Sequence, residues 1–379
     1  MTVIKNGLIH DMVQKEPYAA DIRIKDGKIA EIGNDLSDEE VIDVTSLSVY
    51  PGFVEAHAHL GLDGYGIGFE GQDYNEMGDI CTPQMRAIDS FNPFDPTVHQ
   101  AAAAGVTCVA TGQGSSNAIG GQWIAVKTHG ICVDDMIVKD PIAMKCALGE
   151  NPKRVYKDKG NYARMSTAAV IRRMIHETMD YMDRLKAADG DPLKKPAYNA
   201  KCEAMIPVLN REIPLKVHAH QANDILTAIR IAKEFDLKLT LEHVTEGHLI
   251  ADKLAEYKDI PMAVGPTLTH ASKFELQNKS WTTPGILASK GCQVSIITDS
   301  PVTPEQYLPL CAGLAIKGGM DPYEALKAIT INPAKHIGIS DRVGSLEVGK
   351  DADIVIYEGS PFEVSSHIHH VFIDGEEIH

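Results

Sequence analysis

Tyr50-Pro51-Gly52-Phe53-Val54-Glu55-Ala56-His57-Ala58-His59-Leu60 is the stretch whose reading decides the fold. A Pro-Gly pair breaks an apolar run that then ends in two histidines separated by one small residue. Side chains on a strand alternate between its faces, so a strand here holds His57 and His59 side by side on one face. Two neutral imidazoles at that spacing suit one borderline divalent ion. A lone His-x-His pair is a weak signal. It gains meaning from the further ligand types that end later strands.

The chain has 379 residues, enough for one large domain and a small one, and 44% are hydrophobic. No apolar run approaches the roughly 18 residues of a membrane span. Residues 1–7 lack the charged-then-apolar pattern of a signal peptide. The seven cysteines show no paired spacing, which fits free thiols in a reducing compartment, and a cytoplasmic location is expected. The net charge of −16 speaks against a nucleic-acid binder, which needs a basic face.

Residues 1–50 read as short strands with tight turns. Alternating runs at 22–25 and 28–32 flank Asp26-Gly27, a hairpin signal, and 41–44 reads as another strand. From about residue 51, apolar strand-sized runs alternate with helical segments, the pattern of parallel βα units. Strands are expected at 106–110, 142–148, 215–217, 237–241, 261–264 and 293–297. A helix is expected over 166–186, capped by Ser166, with Ile171, Met174, Ile175, Met182 and Leu185 on its buried face. Asp321-Pro322 should open another helix, and 112–117 reads as a loop. Strand-and-turn texture returns after residue 342. The expected organisation is therefore a barrel over 51–342, with 1–50 and 343–379 joined in one small β-domain.

A potential ligand follows wherever one of the central strands runs out: His57 and His59, then Glu150, His218, His243 and Asp299. In a closed parallel barrel all strand C-termini share one face, so these residues converge. Such a set suits one or two divalent ions, Zn²⁺ first, with Mn²⁺ or Fe²⁺ as alternatives. His220 shares a strand face with His218 and reads as a substrate contact or a hydrogen-bonding support. Arg154 and Tyr156 after the fourth strand, and His270 after the seventh, stand where substrate contacts fall. His367, His369 and His370 are expected on the surface.

On Pro51 to His59, Val217-His218-Ala219-His220, Leu241-Glu242-His243, Ile297-Thr298-Asp299-Ser300, Thr330 to Ala334 and the Gly349-Lys350-Asp351-Ala352-Asp353 run, the chain is identified as a member of the amidohydrolase superfamily. Within it, the chain resembles the imidazolonepropionase-related branch, which is itself similar to certain metal-dependent dipeptidases. The resemblance implies a (β/α)₈ barrel flanked by a β-sandwich from both termini. It also implies a metal centre at the barrel mouth and hydrolysis of amide or similar C–N bonds in a small molecule, with no nucleic-acid or membrane partner. A homo-oligomer is compatible with it.

Matched by position, His57 and His59 are first-strand ligands, His218 the fifth-strand ligand, His243 the sixth, and Asp299 the eighth-strand aspartate. Many relatives bridge two metals with a carboxylated lysine on the fourth strand, and some use a glutamate. This chain offers Lys145 within the strand and Glu150 just past it, and the rim position favours Glu150. Imidazolonepropionases themselves hold one metal and lack that ligand, which speaks against that specific activity. The implied mechanism has Asp299 take a proton from metal-activated water and deliver it to the leaving nitrogen. The competing readings are a heterocycle deaminase on the same fold and a catalytically inactive scaffold. Adenosine-type deaminases carry a glutamate shortly after the fifth-strand histidine, whereas Ala219-His220-Gln221-Ala222-Asn223 follows His218 here.

Overall fold

Apolar alternation and tight turns build the amino-terminal part as expected. β1 (Thr2–Ile9) pairs antiparallel with β2 (Tyr18–Lys25), which turns at Asp26-Gly27 into β3 (Lys28–Gly33). β4 (Glu40–Asp43) and β5 (Ser48–Pro51) then lie parallel along successive parts of β1. The computed structural model describes residues 1–65 and 67–379.

The second sheet takes its strands in chain order: β6 (Phe53–Ala58), β7 (Val106–Thr111), β8 (Ile119–Lys127), β9 (Ile137–Ala147), β10 (Leu215–Ala219), β11 (Leu239–His243), β12 (Met262–Val264) and β13 (Val294–Ile296). It closes into a barrel where His59 N–H donates to Ser300 O at 2.8 Å and the Glu55 carboxylate accepts the Thr298 N–H at 2.8 Å. Helices such as Arg164–Ala187, Ala222–Glu234 and Leu308–Lys317 surround it.

One strand departs from the all-parallel expectation. β8 runs antiparallel to both β7 and β9. A parallel return needs a crossover of about a dozen residues or more. The 112–118 link is too short for one, so the chain must turn straight back. β8 also went unread in the sequence, because Gly120-Gly121-Gln122 interrupts its apolar run.

The helix Arg164–Ala187 starts before Ser166, which lies inside it and caps nothing. Arg164, in its first turn, reaches Asp224 at 3.1 Å on the helix Ala222–Glu234. Ile171, Met174 and Ile175 are buried as expected, while Met182 and Leu185 are half-buried. Asp321 caps its helix, accepting from Tyr323 N at 2.9 Å and Glu324 N at 3.1 Å.

The chain returns to the terminal sheet through β14 (Ile354–Glu358), β15 (His367–Ile373) and β16 (Glu376–Glu377), with β14 antiparallel to β5. Strands from both ends thus make one hydrogen-bonded sheet, gathered about a core that includes Ile4, Ile22, Ile29, Ile354 and Phe372. On β15, His367 and His369 are exposed and His370 is half-buried. All seven cysteines are free. Among the described residues, no helix is long and apolar enough to cross a membrane.

Lys127, at the end of β8, fastens barrel to sheet. Its ammonium is buried and lies 2.7 Å from Asp353, 3.0 Å from Asp351 and 3.0 Å from Asp374. The two aspartates of the Gly-Lys-Asp-Ala-Asp run therefore serve as a clamp. Removing one partner of a buried ionic cluster leaves uncompensated charge, at a cost of about 3–5 kcal/mol. Lys127→Ala is expected to lose that much in equilibrium denaturant unfolding, and an unchanged midpoint would refute the clamp.

Candidate metal centre

Three of the imidazoles at the strand ends of the barrel are bonded through Nδ1. His57 Nδ1–H donates to Glu242 Oε2 at 2.8 Å, His59 Nδ1–H to Gly112 O at 2.7 Å and His243 Nδ1–H to Gly265 O at 2.8 Å. In a neutral ring, a bond of this kind fixes the proton on Nδ1 and leaves the Nε2 lone pair free. Gly112 can bring its carbonyl so close because a Cβ there would overlap the indole of Trp123. Burial, before any other cause, holds the pKa of His57, His218 and His220 well below the ordinary value and pushes His243 down to about 4. These rings are therefore neutral at pH 7, the form that binds metals.

The Nε2 atoms of His57 and His59 face Asp299. His59 Nε2 is 3.4 Å and His57 Nε2 3.8 Å from its Oδ1. One donor atom from each of His57, His243 and Asp299 lies within 4.8 Å of the others, and the same holds for His218, His220 and His243. His218 Nδ1 is buried without a hydrogen-bond partner. Such an unmet polar atom costs about 1–3 kcal/mol, which a bound cation would recover. The donor set, nitrogen-rich with one carboxylate, fits a divalent ion of the zinc type.

The backbone is strained at this rim. His243 (φ 75°), Val244 (φ 44°) and Asp299 (φ 54°) adopt left-handed conformations that such residues rarely take. Glu55 helps hold Asp299 there, accepting from Thr298 N at 2.8 Å and Oγ1 at 2.9 Å, and from His57 N at 2.8 Å. Burial raises the Glu55 pKa to about 8. For Asp299, burial opposes ionisation, but His243, His59 and Lys145 outweigh it and keep its pKa below the ordinary value.

Of the two fourth-strand candidates, Lys145 is the one that joins the histidines. It is fully buried on β9, its Nζ 3.0 Å from His57 Nε2 and 4.7 Å above the Trp123 ring. Burial pushes its pKa down to about 7. Glu150 stands outside both groups of converging donors. The chain turns away at Gly149 (φ 83°), and the Glu150 carboxylate accepts the Glu275 N–H at 3.2 Å instead. A place at the rim did not bring it to the centre.

The other expected contacts divide. Arg154 lines a cavity of about 640 Å³ whose walls include His59, His218, Asp299, Tyr74 and Lys273. His220 is buried beside His218, its Nδ1 2.7 Å from Thr245 Oγ1. Tyr156 is buried away from this cavity, its hydroxyl donating toward the carbonyls of Glu76 and Asp79 at 2.9 and 2.8 Å. His270 is exposed and does not line it either. Sequence reasoning missed Lys216 and Glu275. Lys216 had a signal, since it alternates with His218 and His220 on one strand face. Glu275 had none, sitting in a loop after β12.

The fold and the donor set define a barrel protein whose mouth carries a His/Asp group that could hold a metal ion. Residues 196–378 match the family model described as Amidohydrolase family. The crystal structure of an amidohydrolase from Thermotoga maritima MSB8 is 40% identical, covers 100% of both chains and gives a TM-score of 0.96. Amidohydrolase tasK of Hapsidospora irregularis is 26% identical over 94% of this chain and 40% of its own length. Imidazolonepropionase of Thermoplasma volcanium is 32% identical over 39% of this chain and 36% of its own. The chain thus spans 40% or less of the length of these two curated relatives. It belongs to the amidohydrolase family.

A ligand that binds only the folded chain stabilises it by about 2.7 kcal/mol at 100 times its Kd. Zn²⁺, Mn²⁺ or Fe²⁺ added to chelator-stripped protein is therefore expected to raise the thermal midpoint. Glu242→Gln, which weakens the support of His57, should loosen metal binding about 10–100-fold. No thermal shift with any of the three ions would remove the metal reading.

Proposed function

We propose that the protein is a metal-dependent amidohydrolase that cleaves a C–N bond in a small linear or cyclic amide. The observation carrying this reading is the gathering of His57, His59 and His243 about Asp299, with His218 beside His243, at one end of the barrel. Those five residues would hold one or two divalent ions, Zn²⁺ by preference, with Mn²⁺ or Fe²⁺ as alternatives. When bound, such an ion polarises a carbonyl and acidifies water.

The remaining chemistry belongs to the chain. Asp299, kept ionised by its neighbours, accepts a proton from the attacking water and returns it to the leaving nitrogen. Glu55 holds Asp299 in register through Thr298. Glu242, bonded also to Lys216 Nζ at 2.8 Å and His336 Nε2 at 2.9 Å, keeps His57 from turning. Lys145 takes the fourth-strand role. Its amine, with a pKa of about 7, is available to CO₂, and a carbamate forms on Nζ as a proton leaves to solvent. Arg154 and Lys273 supply cationic contacts to a polar substrate in the cavity. The similarity to an imidazolonepropionase supports including cyclic amides. The deaminase alternative lacks support, because no glutamate closely follows His218.

A screen of N-acyl amino acids, dipeptides and cyclic ureides, read by free amine and by ammonia, tests the reading. Ammonia released from a heterocycle with its ring intact would replace hydrolysis with deamination. Asp299→Asn is expected to lower turnover at least about 10²–10⁴-fold while circular dichroism stays unchanged. Lys145→Ala should lose bound metal in elemental analysis, whereas Glu150→Ala should keep it. The opposite pattern would restore Glu150 to the fourth-strand role.

A further inference from the structure

The loop after β12 does more than wall the cavity. Within it, the short turn Phe274–Leu276 carries Glu275, whose side chain is fully buried although the loop lies over the barrel mouth. Its Oε1 is 3.3 Å from His218 Nε2, 3.7 Å from His220 Nε2 and 2.6 Å from Lys273 Nζ. Its Oε2 accepts the Glu150 N–H at 2.9 Å. His218 differs from His57, His59 and His243. Those three are bonded at Nδ1, while His218 is bonded at Nε2 and has an unpartnered, buried Nδ1. A neutral imidazole carries one proton, and an acceptor at one nitrogen decides which nitrogen keeps the lone pair. Lys273 supplies the countercharge that lets a carboxylate reside here, and the same lysine lines the cavity.

We infer that Glu275 is a positioning residue: by taking the Nε2–H of His218 it presents Nδ1 to the metal, and so ties the cavity loop to metal binding. This rests on the reading of His218 as a ligand. Metal binding and order in residues 267–279 are then coupled. Pulling on His218 tightens the loop through Glu275, and loosening the loop releases the tautomer.

The test uses full-length, metal-stripped protein titrated with Zn²⁺ against a chromophoric chelator, with hydrogen exchange read over residues 267–279. Glu275→Ala is expected to bind Zn²⁺ about 10–100-fold more weakly. Glu275→Gln, which keeps an oxygen acceptor but not the charge, should weaken it less. Glu150→Ala removes a bond to the same loop but spares the Glu275 carboxylate, and should bind Zn²⁺ like the wild type. Zn²⁺ should slow exchange in 267–279 of the wild type and not of Glu275→Ala. Wild-type affinity in Glu275→Ala overturns the inference, as does equal loosening in Glu150→Ala, which would make Glu275 only a loop tie. If only Glu275→Gln folds, wild-type affinity in that variant overturns it. His218→Ala separates the two levels. Should it bind Zn²⁺ normally, the ligand reading itself fails; should it lose Zn²⁺ while Glu275→Ala does not, only the role of Glu275 falls.

Discussion

A single buried carboxylate, Glu242, holds the interior of the barrel together. It accepts from His57 on β6, Lys216 on β10, Thr240 on its own strand β11, and His336 on the helix Ile331–His336. Burial alone would protonate it, but Lys216 and His336 outweigh that and keep its pKa well below the usual carboxylate range. Taken singly, a carboxylate or an ammonium here would cost several kcal/mol to desolvate. Together they form a network that fixes the strand positions and the orientation of His57. The polar interior and the closed barrel are thus one construction.

The antiparallel strand β8 serves that construction from two ends. In its middle, Trp123 lies against His57, with ring centroids 4.6 Å apart, and beneath the ammonium groups of Lys145 and Lys216 at 4.7 and 5.0 Å. The indole forms part of the buried surroundings of both lysines, and burial is what depresses the basicity of Lys145. At its end, Lys127 reaches the aspartates of the terminal sheet. One strand therefore links the rigidity of the small sheet to the chemistry of the mouth.

The rim itself is held under strain. Left-handed backbone at His243, Val244 and Asp299 is unfavourable for such residues, and persists because Glu55, Gly265 O and the barrel closure over-determine it. Strain placed where ligands must point inward is consistent with a rim shaped for binding. The catalytic reading needs that geometry to be present before substrate arrives, since preorganised groups need no rearrangement during reaction.

How much of this was legible in the chain depends on the range of each cause. His57, His59, His218, His243 and Asp299 could be read as a converging set because strand alternation and strand ends are local properties, and a closed barrel brings all strand ends together. The hairpin at Asp26-Gly27 and the Asp321 cap were legible for the same reason. That Lys145 lies against His57 while Glu150 turns to Glu275 was not, because it turned on the direction the chain takes after Gly149. Nor was the reversal of β8, the burial of Tyr156 beneath its neighbouring loop, or the reach of Glu275 back to His218. Sequence by itself determined which residue types end the strands, through rules that act over a few residues. Tertiary structure alone decided which of them touch, because contacts between distant segments depend on how the whole sheet closes and where each loop is then able to go.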